Sequence, residues 1–269
     1  MPMNICIDQG NSRTKVALFD EQGSIVKSFM YKQFTSEDVE RLFSLYSLQD
    51  SIISSVVNIE PSLVNVLHRK SRQFILFDHQ TPIPIQNDYE TPNTLGQDRL
   101  AAAVGGAKLF PDENVLIIDI GSAITFDVVT KDNTYIGGNI DAGSAITYDV
   151  MTADGHYLGG NIAPGIKMRF KSLHQLTKKL PMMEVEENSL LPLFGKNTRD
   201  AMAAGVIRGV AFEVKGYVAS LAKQGRKLQV YLTGGNAPFI LNHVQSPMVY
   251  EKHLVLIGLN AILHYNNRA

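Results

Sequence analysis

The stretch VLIIDIGSA, residues 115–123, joins four apolar residues to an aspartate, a glycine and a serine. Four consecutive apolar residues before a glycine turn are typical of a buried strand. Two further apolar strands are followed by comparable turns, DQGNS at residues 8–12 and TGGNA at residues 233–237. The sequence thus has three strand-to-glycine turns, two of which carry an aspartate.

These turns have the composition of phosphate-binding loops. Glycine allows backbone N–H groups to point at an anion, and the hydroxyls of Ser12 and Ser122 are further donors. Asp8 and Asp119 would repel a bare phosphate, so their presence indicates a cation, or its water shell, between the carboxylate and the phosphate. The pattern predicts a nucleotide–Mg²⁺ site.

The familiar phosphate motifs do not match. Gly160 and Gly165 have the spacing of a P-loop, but Ile166 occupies the place where that motif requires lysine. No Gly-x-Gly-x-x-Gly sequence opens a helix, which excludes the common dinucleotide fingerprint. The phosphate-binding arrangement must therefore be of another kind.

Residues 119–140 are followed at once by a second copy of themselves, residues 141–162. The offset is 22 residues, and 15 of the 22 aligned positions are identical. A solenoid needs at least about three repeats to bury a core. We therefore interpret the repeat as a local duplication inside a globular domain.

Outside the repeat, apolar patterning alternates between strands and helices. Strands are predicted at 4–7, 15–19, 25–31, 52–57, 74–77, 115–118 and 228–232. Helices are predicted at 35–48 with Ser36 as N-cap, from Pro61 through Leu67, and at 100–109, 166–176, 198–222 and 254–265. Residues 81–92 hold three prolines and are predicted to be an irregular connection. The alternation predicts an α/β protein.

Composition excludes several classes of protein. The 269 residues are 45% hydrophobic and 19% charged, with a net charge of −1, which excludes a disordered chain and argues against nucleic-acid binding. The single cysteine, Cys6, rules out an internal disulfide and fits a reducing compartment. No segment stays apolar for the ~18 residues that a membrane helix needs, so we expect a cytoplasmic protein. The histidines lack metal-ligand spacing, and no structural metal is expected.

The order of the motifs resembles that of the type III pantothenate kinases, over nearly the whole chain. The motifs are Asp8-x-Gly10-Asn11-Ser12 with Lys15, Tyr89-x-x-Pro92 before Gly96-x-Asp98-Arg99, the repeated Asp-x-Gly-Ser-Ala-Ile-Thr, Gly159-Gly160-x-Ile162-x-Pro164-Gly165, Asn197-Thr198 and Thr233-Gly234-Gly235. The resemblance implies an actin-like ATPase with two ribonuclease-H-like lobes, whose mixed sheets are flanked by helices. We expect the lobes at 1–112 and 113–269, with the duplicated segment 119–162 in the second.

The resemblance also implies a function. It predicts ATP-dependent phosphorylation of the 4′-hydroxyl of pantothenate, the first step of coenzyme A synthesis. The enzyme would be a homodimer that requires Mg²⁺ and a monovalent cation, K⁺ or NH₄⁺.

Carried over by position, the resemblance assigns roles to individual residues. Asp98 would be the general base for the pantothenate hydroxyl, Asp8 would order the water shell of Mg²⁺, and Asp119 would bind the monovalent cation. The ATP contacts would be made by Gly10, Asn11, Ser12, Lys15, Gly121, Ser122, Thr233, Gly234 and Gly235. The pantothenate contacts would be made by Tyr89, Gly96, Arg99 and Thr198. Ser12 stands where this family usually has threonine, and the change keeps the hydroxyl.

Only one copy of the repeat can occupy the ancestral site. Chain continuity favours Asp119 to about Thr130 from the first copy and about Tyr157 onward from the second, with the excess as an extension at a hairpin tip. The active turn is then Asp119-Ile120-Gly121-Ser122. In the alternative register the second copy occupies the site, the first copy loops out, and Asp141 is the cation ligand. The sequence leaves both registers open.

Three other functional readings compete with the kinase. A sugar or acetate kinase would share the phosphate turns, but it is usually longer and lacks the compact Gly-x-Asp-Arg segment. A non-catalytic relative that acts as an accessory factor in transcription would share the family's sequence, although the retention of Asp8, Lys15 and Asp98 argues against it. Finally, the duplication would leave a folded protein that binds ATP poorly if it distorted the site.

Overall fold

The computed structural model describes residues 2–89, 91–111, 113–120, 124–129, 132, 134–135, 146–151, 157–187, 189–223, 229–244 and 248–267. The chain divides into two compact units. Unit 1 comprises Met1–Glu113, Val129–Gly137 and His253–Ala269, and unit 2 comprises Asn114–Val128 and Gly138–Lys252.

Strands and helices alternate along the chain, as the sequence predicts. The strands are β1 Met3–Gln9, β2 Thr14–Phe19, β3 Ile25–Tyr31, β4 Leu48–Ser55, β5 Gln73–Leu76, β6 Gln86–Asn87, β7 Val115–Ile120, β8 Ile124–Val129, β9 Thr134–Tyr135, β10 Ile146–Met151, β11 Tyr157–Ala163, β12 Gln229–Thr233 and β13 Met248–Tyr250. The helices are α1 Ser36–Leu45, α2 Pro61–Lys70, α3 Gln97–Leu109, α4 Ile166–Gln175, α5 Thr198–Lys223, α6 Pro238–Leu241 and α7 Leu254–Asn266, with a 3₁₀ turn at Pro92–Thr94. These mixed sheets flanked by helices confirm the α/β prediction.

The sheet of unit 1 has the strand order β3-β2-β1-β4-β5. Its first three strands form an antiparallel meander, while β4 and β5 extend the sheet in parallel with β1. The β2–β3 turn is tight because Gly23 adopts a φ of 81°, which a residue with a Cβ rarely does. The amide N–H of Ser24 donates to the Asp20 carboxylate at 2.8 Å and closes this turn.

The alternation of side chains along β1 separates two environments. Ile5 and Ile7 pack into an apolar core with the inward faces of α1 and α2, including Leu42 and Leu67. Asn4, Cys6 and Asp8 lie on the other face of the strand. The Asn4 amide donates to the Asn260 side-chain oxygen of α7 at 3.2 Å. Both faces of the sheet are therefore covered by helices.

The C-terminal helix α7 packs closely on α3 in unit 1. A Cβ added to Gly258 would lie 1.7 Å from the Ala101 carbonyl oxygen, and one added to Gly105 would lie 2.4 Å from the Leu254 carbonyl oxygen. The paired glycines thus let the two helix backbones touch. The sequence-based division had placed this helix with residues 113–269, whereas it packs within unit 1 because its glycine face fits α3. The division at residue 112 otherwise stays a prediction.

The sheet of unit 2 has the order β11-β10-β8-β7-β12-β13. β12 pairs in parallel with both β7 and β13. Apolar residues of α5 pack against Leu116 and Ile118 of β7 to form the core. Arg169 of α4 makes two hydrogen bonds, of 2.9 and 2.8 Å, to the Glu213 carboxylate of α5, and these tie the two helices together.

The repeat contributes strands β8, β10 and most of β11 to the sheet of unit 2. β8 and β10 hold equivalent positions in the two copies, and they are neighbours in the sheet, with Ile146 opposite Ile124. β10 then pairs antiparallel with β11. The expectation of an extension at a hairpin tip was therefore wrong for this strand. A strand added inside a sheet can hydrogen-bond on both edges, which an exposed extension cannot.

Several predicted boundaries differ from the observed ones. Helix α1 is capped by Thr35 rather than Ser36, because the Thr35 hydroxyl and the Asp38 carboxylate form a reciprocal capping box. Helix α3 begins at Gln97, three residues before the predicted start, with Gly96 as N-cap. The connection at 81–92 contains β6, which pairs with β9.

Candidate active site

The first glycine turn joins β1 to β2 in unit 1. The Gly10 N–H donates to the Arg13 carbonyl oxygen at 3.1 Å, which closes the turn, and Asn11 and Ser12 are exposed at its tip. A Cβ on Gly10 would lie 3.3 Å from that carbonyl oxygen, so a larger residue would crowd the turn. The turn thus presents the side chains of Asn11 and Ser12 to solvent, where they can donate to a phosphate.

Asp8 lies at the end of β1, immediately before this turn, and is 9% exposed. The pKa of its carboxyl is raised to about 6, chiefly by burial and also by the charge of Asp98, while Lys15 acts in the opposite direction. A buried carboxylate with an elevated pKa is stabilised by an added positive charge. The site is therefore suited to a cation beside Asp8.

Three strands bring polar residues into one row next to the turn. Lys15 of β2 is the cross-strand partner of Asp8 on one side, and Ser54 of β4 is its partner on the other. Partners in a sheet project to the same face. Sequence analysis missed Ser54, although a serine inside the apolar run of β4 was a visible signal.

Helix α3 begins close to Asp8. Asp98 lies in the first turn of this helix, and its Oδ1 atom accepts a hydrogen bond from the Arg99 N–H at 2.9 Å. Arg99 is almost fully buried, whereas Asp98 remains partly exposed. Because the charge of Asp98 acts on the pKa of Asp8, the structure brings together two acidic residues that are 90 positions apart.

The other predicted pantothenate contacts are distributed over both units. Gly96 caps α3 in unit 1. Tyr89 precedes the 3₁₀ turn, and its N–H donates to the Asn87 side-chain oxygen at 3.1 Å. Thr198 is the exposed first residue of α5 in unit 2, and the neighbouring Asn197 oxygen accepts from the Asp200 N–H at 2.9 Å.

A cleft of about 200 Å³ opens beside the first glycine turn. Its polar wall includes Gln9, Gly10 and Asn11 from the turn and Lys32 after β3. The Ser55 hydroxyl donates to the Gln9 side-chain oxygen at 3.0 Å and connects β4 to the rim. The cleft extends the polar surface of the turn within unit 1.

The third glycine turn, Thr233–Ala237, packs on the end of β7 in unit 2. Thr233 of β12 is the parallel neighbour of Asp119. Gly234 has a φ of 88°, and a Cβ on it would lie 2.2 Å from the Asp119 Oδ1 atom. The Asn236 N–H donates to the Ile120 carbonyl oxygen at 2.6 Å. The structure thus joins Asp119 to the predicted adenosine turn, while Gly235 has open space around it.

Other predicted site residues lie outside the described part of the chain. They are Gly121 and Ser122 of the first copy and Asp141 of the second. The assignment of the first copy to the site therefore stays a prediction.

A magnesium ion held through its water shell fits the residues around Asp8. The row offers one buried carboxylate, whose elevated pKa favours a cation, and one buried hydroxyl, Ser54, that makes no hydrogen bond with any described residue. Mg²⁺ commonly keeps several waters and takes one or two carboxylates from the protein. Among the described residues, no three histidine, cysteine or acidic side chains meet in a cluster able to hold a metal directly. No described helix is long and apolar enough to span a membrane.

Solved structures share this fold. A ROK family glucokinase from Streptomyces griseus, in complex with glucose and AMPPNP, superposes with a TM-score of 0.52 at 11% identity, covering 99% of this chain and 100% of that one. Component A of the (R)-2-hydroxyglutaryl-CoA dehydratase of Acidaminococcus fermentans gives a TM-score of 0.51 at 12% identity, with full coverage of both chains, 100% and 100%. These likenesses confirm the predicted α/β fold with mixed sheets flanked by helices.

Sequence comparison identifies the family. The type III pantothenate kinase of Phocaeicola vulgatus is 40% identical over 266 residues, which cover 99% of this chain and 100% of the relative. A Bacteroides fragilis protein of the same description is 36% identical over 265 residues, covering 98% and 99%. The sequence profile of the type III pantothenate kinases matches residues 4–141 and 139–220, two segments that meet where the copies of the repeat join. This chain therefore belongs to the type III pantothenate kinase family.

Proposed function

We propose that this protein transfers the γ-phosphoryl group of ATP to the 4′-hydroxyl of pantothenate, producing 4′-phosphopantothenate for coenzyme A synthesis in the cytoplasm. The observation that carries the proposal is the grouping of Asp8, Lys15 and Asp98 in unit 1. These are the residues to which the family resemblance assigns metal, phosphate and proton-transfer roles. Lys15 and Asp98 both act electrostatically on Asp8, as is common at a site for a charged substrate.

The residues of unit 1 would divide the chemistry between them. Lys15 would contact the ATP phosphates together with the turn residues Gly10, Asn11 and Ser12. Asp8 would hold Mg²⁺ through water, and the ion, when bound, supplies positive charge that offsets the negative charge of the phosphates. Because phosphoryl transfer depends mainly on positioning and charge stabilisation, these residues contribute by orientation rather than by covalent chemistry.

Asp98 would accept the proton of the pantothenate hydroxyl. Its carboxylate lies in the first turn of α3, where the helix dipole favours the charged form. A carboxylate so placed is a weak base, which is sufficient because the loose transition state does not require full proton removal before attack. Gly96, Arg99, Tyr89 and Thr198 would hold pantothenate.

Unit 2 would contribute the remaining nucleotide contacts. Thr233, Gly234 and Gly235 would lie along the adenosine, and Asp119 would bind K⁺ or NH₄⁺. The close approach of Gly234 to Asp119 supports a shared role for these two segments. In the first-copy register, Gly121 and Ser122 would complete the second phosphate loop.

We further propose that the active form is a homodimer. Unit 2 exposes large apolar side chains in the connection from α4 to α5, with Leu176, Leu190 and Phe194 each more than 80% exposed. Phe212 of α5 is a further exposed apolar residue of unit 2, at 52%. Exposed apolar side chains in such numbers are typical of protein interfaces. A second copy of this chain would bury these side chains. Analytical ultracentrifugation tests this, because wild type should sediment as a dimer and a Leu190→Glu/Phe194→Glu variant as a monomer.

A coupled ADP-release assay tests the catalytic proposal. Wild-type protein with ATP, Mg²⁺, K⁺ and pantothenate should turn over, and omission of pantothenate should abolish ADP release. Replacing K⁺ by Na⁺ should lower the rate, and Asp98→Asn should lower kcat by at least about 100-fold, the usual contribution of a general base. A folded wild-type protein without pantothenate-dependent turnover would support the reading in which the duplication distorts the site.

A further inference from the structure

Ser54 lies at the carboxyl end of β4, and its side chain is fully buried. Strands β1 and β4 run parallel with Ser54 opposite Asp8, and Lys15 lies opposite Asp8 on the far side. These partners project to one face of the sheet. Ser54 therefore completes a polar row at the edge where β1 and β4 end.

The Ser54 hydroxyl makes no hydrogen bond with any residue in the described part of the chain. A buried hydroxyl without a partner costs stability. Native proteins retain such groups mainly where a ligand, an ion or a water molecule supplies the partner. Because Ser54 lies opposite Asp8, its missing hydrogen-bond partner would lie at the predicted metal site.

Other serines of β4 provide a contrast. Ser51 is equally buried, but it lies on the opposite face of β4, and its Oγ atom is 2.6 Å from the Ser71 Oγ atom. The Ser55 hydroxyl has two acceptors within reach, the Gln9 side-chain oxygen at 3.0 Å and the Val57 carbonyl oxygen at 2.8 Å. Among these three serines, Ser54, next to Asp8, has the hydroxyl without a hydrogen-bond partner in the described part of the chain.

We propose that Ser54 is a positioning residue of the nucleotide–metal site, where its hydroxyl hydrogen-bonds the water shell of the divalent cation held by Asp8. A metal-bound water can only donate to the protein, and a serine oxygen can accept such a bond while its O–H donates to a carboxylate. Ser54 therefore matches both a hydrated cation and the Asp8 carboxylate. The role rests on the proposed kinase function and extends it to a residue outside the glycine turns.

Binding of Mn²⁺ with AMPPNP, followed by electron paramagnetic resonance, tests this role without relying on turnover. In Ser54→Ala, the affinity for Mn²⁺ in the presence of AMPPNP should fall about tenfold, the effect of losing one hydrogen bond to a charged centre. The thermal midpoint of the apoprotein should stay equal or rise, because an unpartnered hydroxyl has been removed. KM for Mg·ATP should rise in parallel.

Ser51→Ala is the matched control. It removes an equally buried hydroxyl that has a partner, so the thermal midpoint should fall while Mn²⁺ affinity stays at the wild-type value. If Ser54→Ala does not fold, Ser54→Cys replaces the hydroxyl by a somewhat larger, weakly hydrogen-bonding thiol and should show the same loss of affinity.

The outcomes separate this role from the proposed function. Unchanged Mn²⁺ affinity in Ser54→Ala, beside a wild type that binds Mn²⁺ with AMPPNP, would overturn the role of Ser54 and leave the kinase proposal standing. A wild type that binds neither Mn²⁺ nor AMPPNP would overturn both the role of Ser54 and the kinase proposal.

Discussion

Gly234 packs against Asp119 so closely that a Cβ on the glycine would lie 2.2 Å from the aspartate Oδ1 atom and 2.6 Å from the backbone N and C atoms of Ile120. The two residues belong to turns that are more than 100 positions apart in the sequence. Their contact means that the conformation of the adenosine turn and the position of the proposed cation ligand are set together.

Gly234→Ala should lower the free energy of unfolding by at least about 2 kcal/mol. The substitution combines a steric clash with a φ of 88° that disfavours any Cβ. Gly235→Ala is the matched control, since nothing lies within 4 Å of its added Cβ. Urea unfolding of both variants measures the difference, and equal midpoints would contradict the observed contact.

The helix pair α3–α7 gives a second stability prediction. Gly258→Ala should lower the free energy of unfolding by at least about 3 kcal/mol. Its Cβ would lie 1.7 Å from the Ala101 carbonyl oxygen, so the two helices would have to separate. Gly205→Ala in α5 has open space and should instead add about 0.5–1 kcal/mol through helix propensity. Thermal unfolding should therefore shift in opposite directions for the two variants.

Asp8→Asn should abolish turnover and yet stabilise the apoprotein at pH 8. The wild-type carboxyl has a pKa of about 6 in the folded state against 3.8 as its ordinary value, so the folded state binds more protons between these values and its stability falls as the pH rises. The gain in Asp8→Asn should reach at most about 3 kcal/mol at pH 8 and vanish as the pH falls through 6 toward 4. Urea unfolding in EDTA at several pH values checks this, and a gain independent of pH would refute it.

His243 should make the wild-type protein sensitive to mild acid. Burial lowers the pKa of its imidazole, the charges of Arg208 and Lys215 lower it further, and a hydrogen bond to the Ser189 carbonyl oxygen acts in the opposite direction. The unfolded chain therefore takes up this proton at a higher pH than the folded one, and stability falls as the pH drops below 6.5. His243→Gln should show a smaller loss between pH 7.5 and 5.5; parallel stability curves for the two proteins would contradict the assignment.

Substitutions in the two copies of the repeat should have unequal effects on cation dependence. Because Asp119 lies against Gly234, Asp119→Ala should remove most of the stimulation of turnover by K⁺, whereas Asp141→Ala should keep it. Measuring ADP release against K⁺ concentration separates the two registers. Equal losses would contradict any arrangement in which one copy alone serves the site.

Local sequence features predicted where the strands before two of the candidate turns end. Apolar runs followed by Asp-x-Gly placed the turns at residues 8–12 and 119–123, since strand and turn preferences act over a few neighbouring residues. The observed β1 and β7 end at these positions. The functional roles assigned to the turn residues remain predictions, which the experiments above address.

The sequence by itself determined the α/β class, the order of the strands and helices, and the family to which the chain belongs, because periodic apolar patterns and contiguous motifs are local properties. Tertiary structure alone decided that α7 packs on α3, that β10 lies beside β8, and that Ser54 is buried next to Asp8 without a partner. Each of these facts depends on packing between segments distant in sequence. The steric fit and strand pairing between such segments cannot be read from the periodic pattern of apolar residues within one segment.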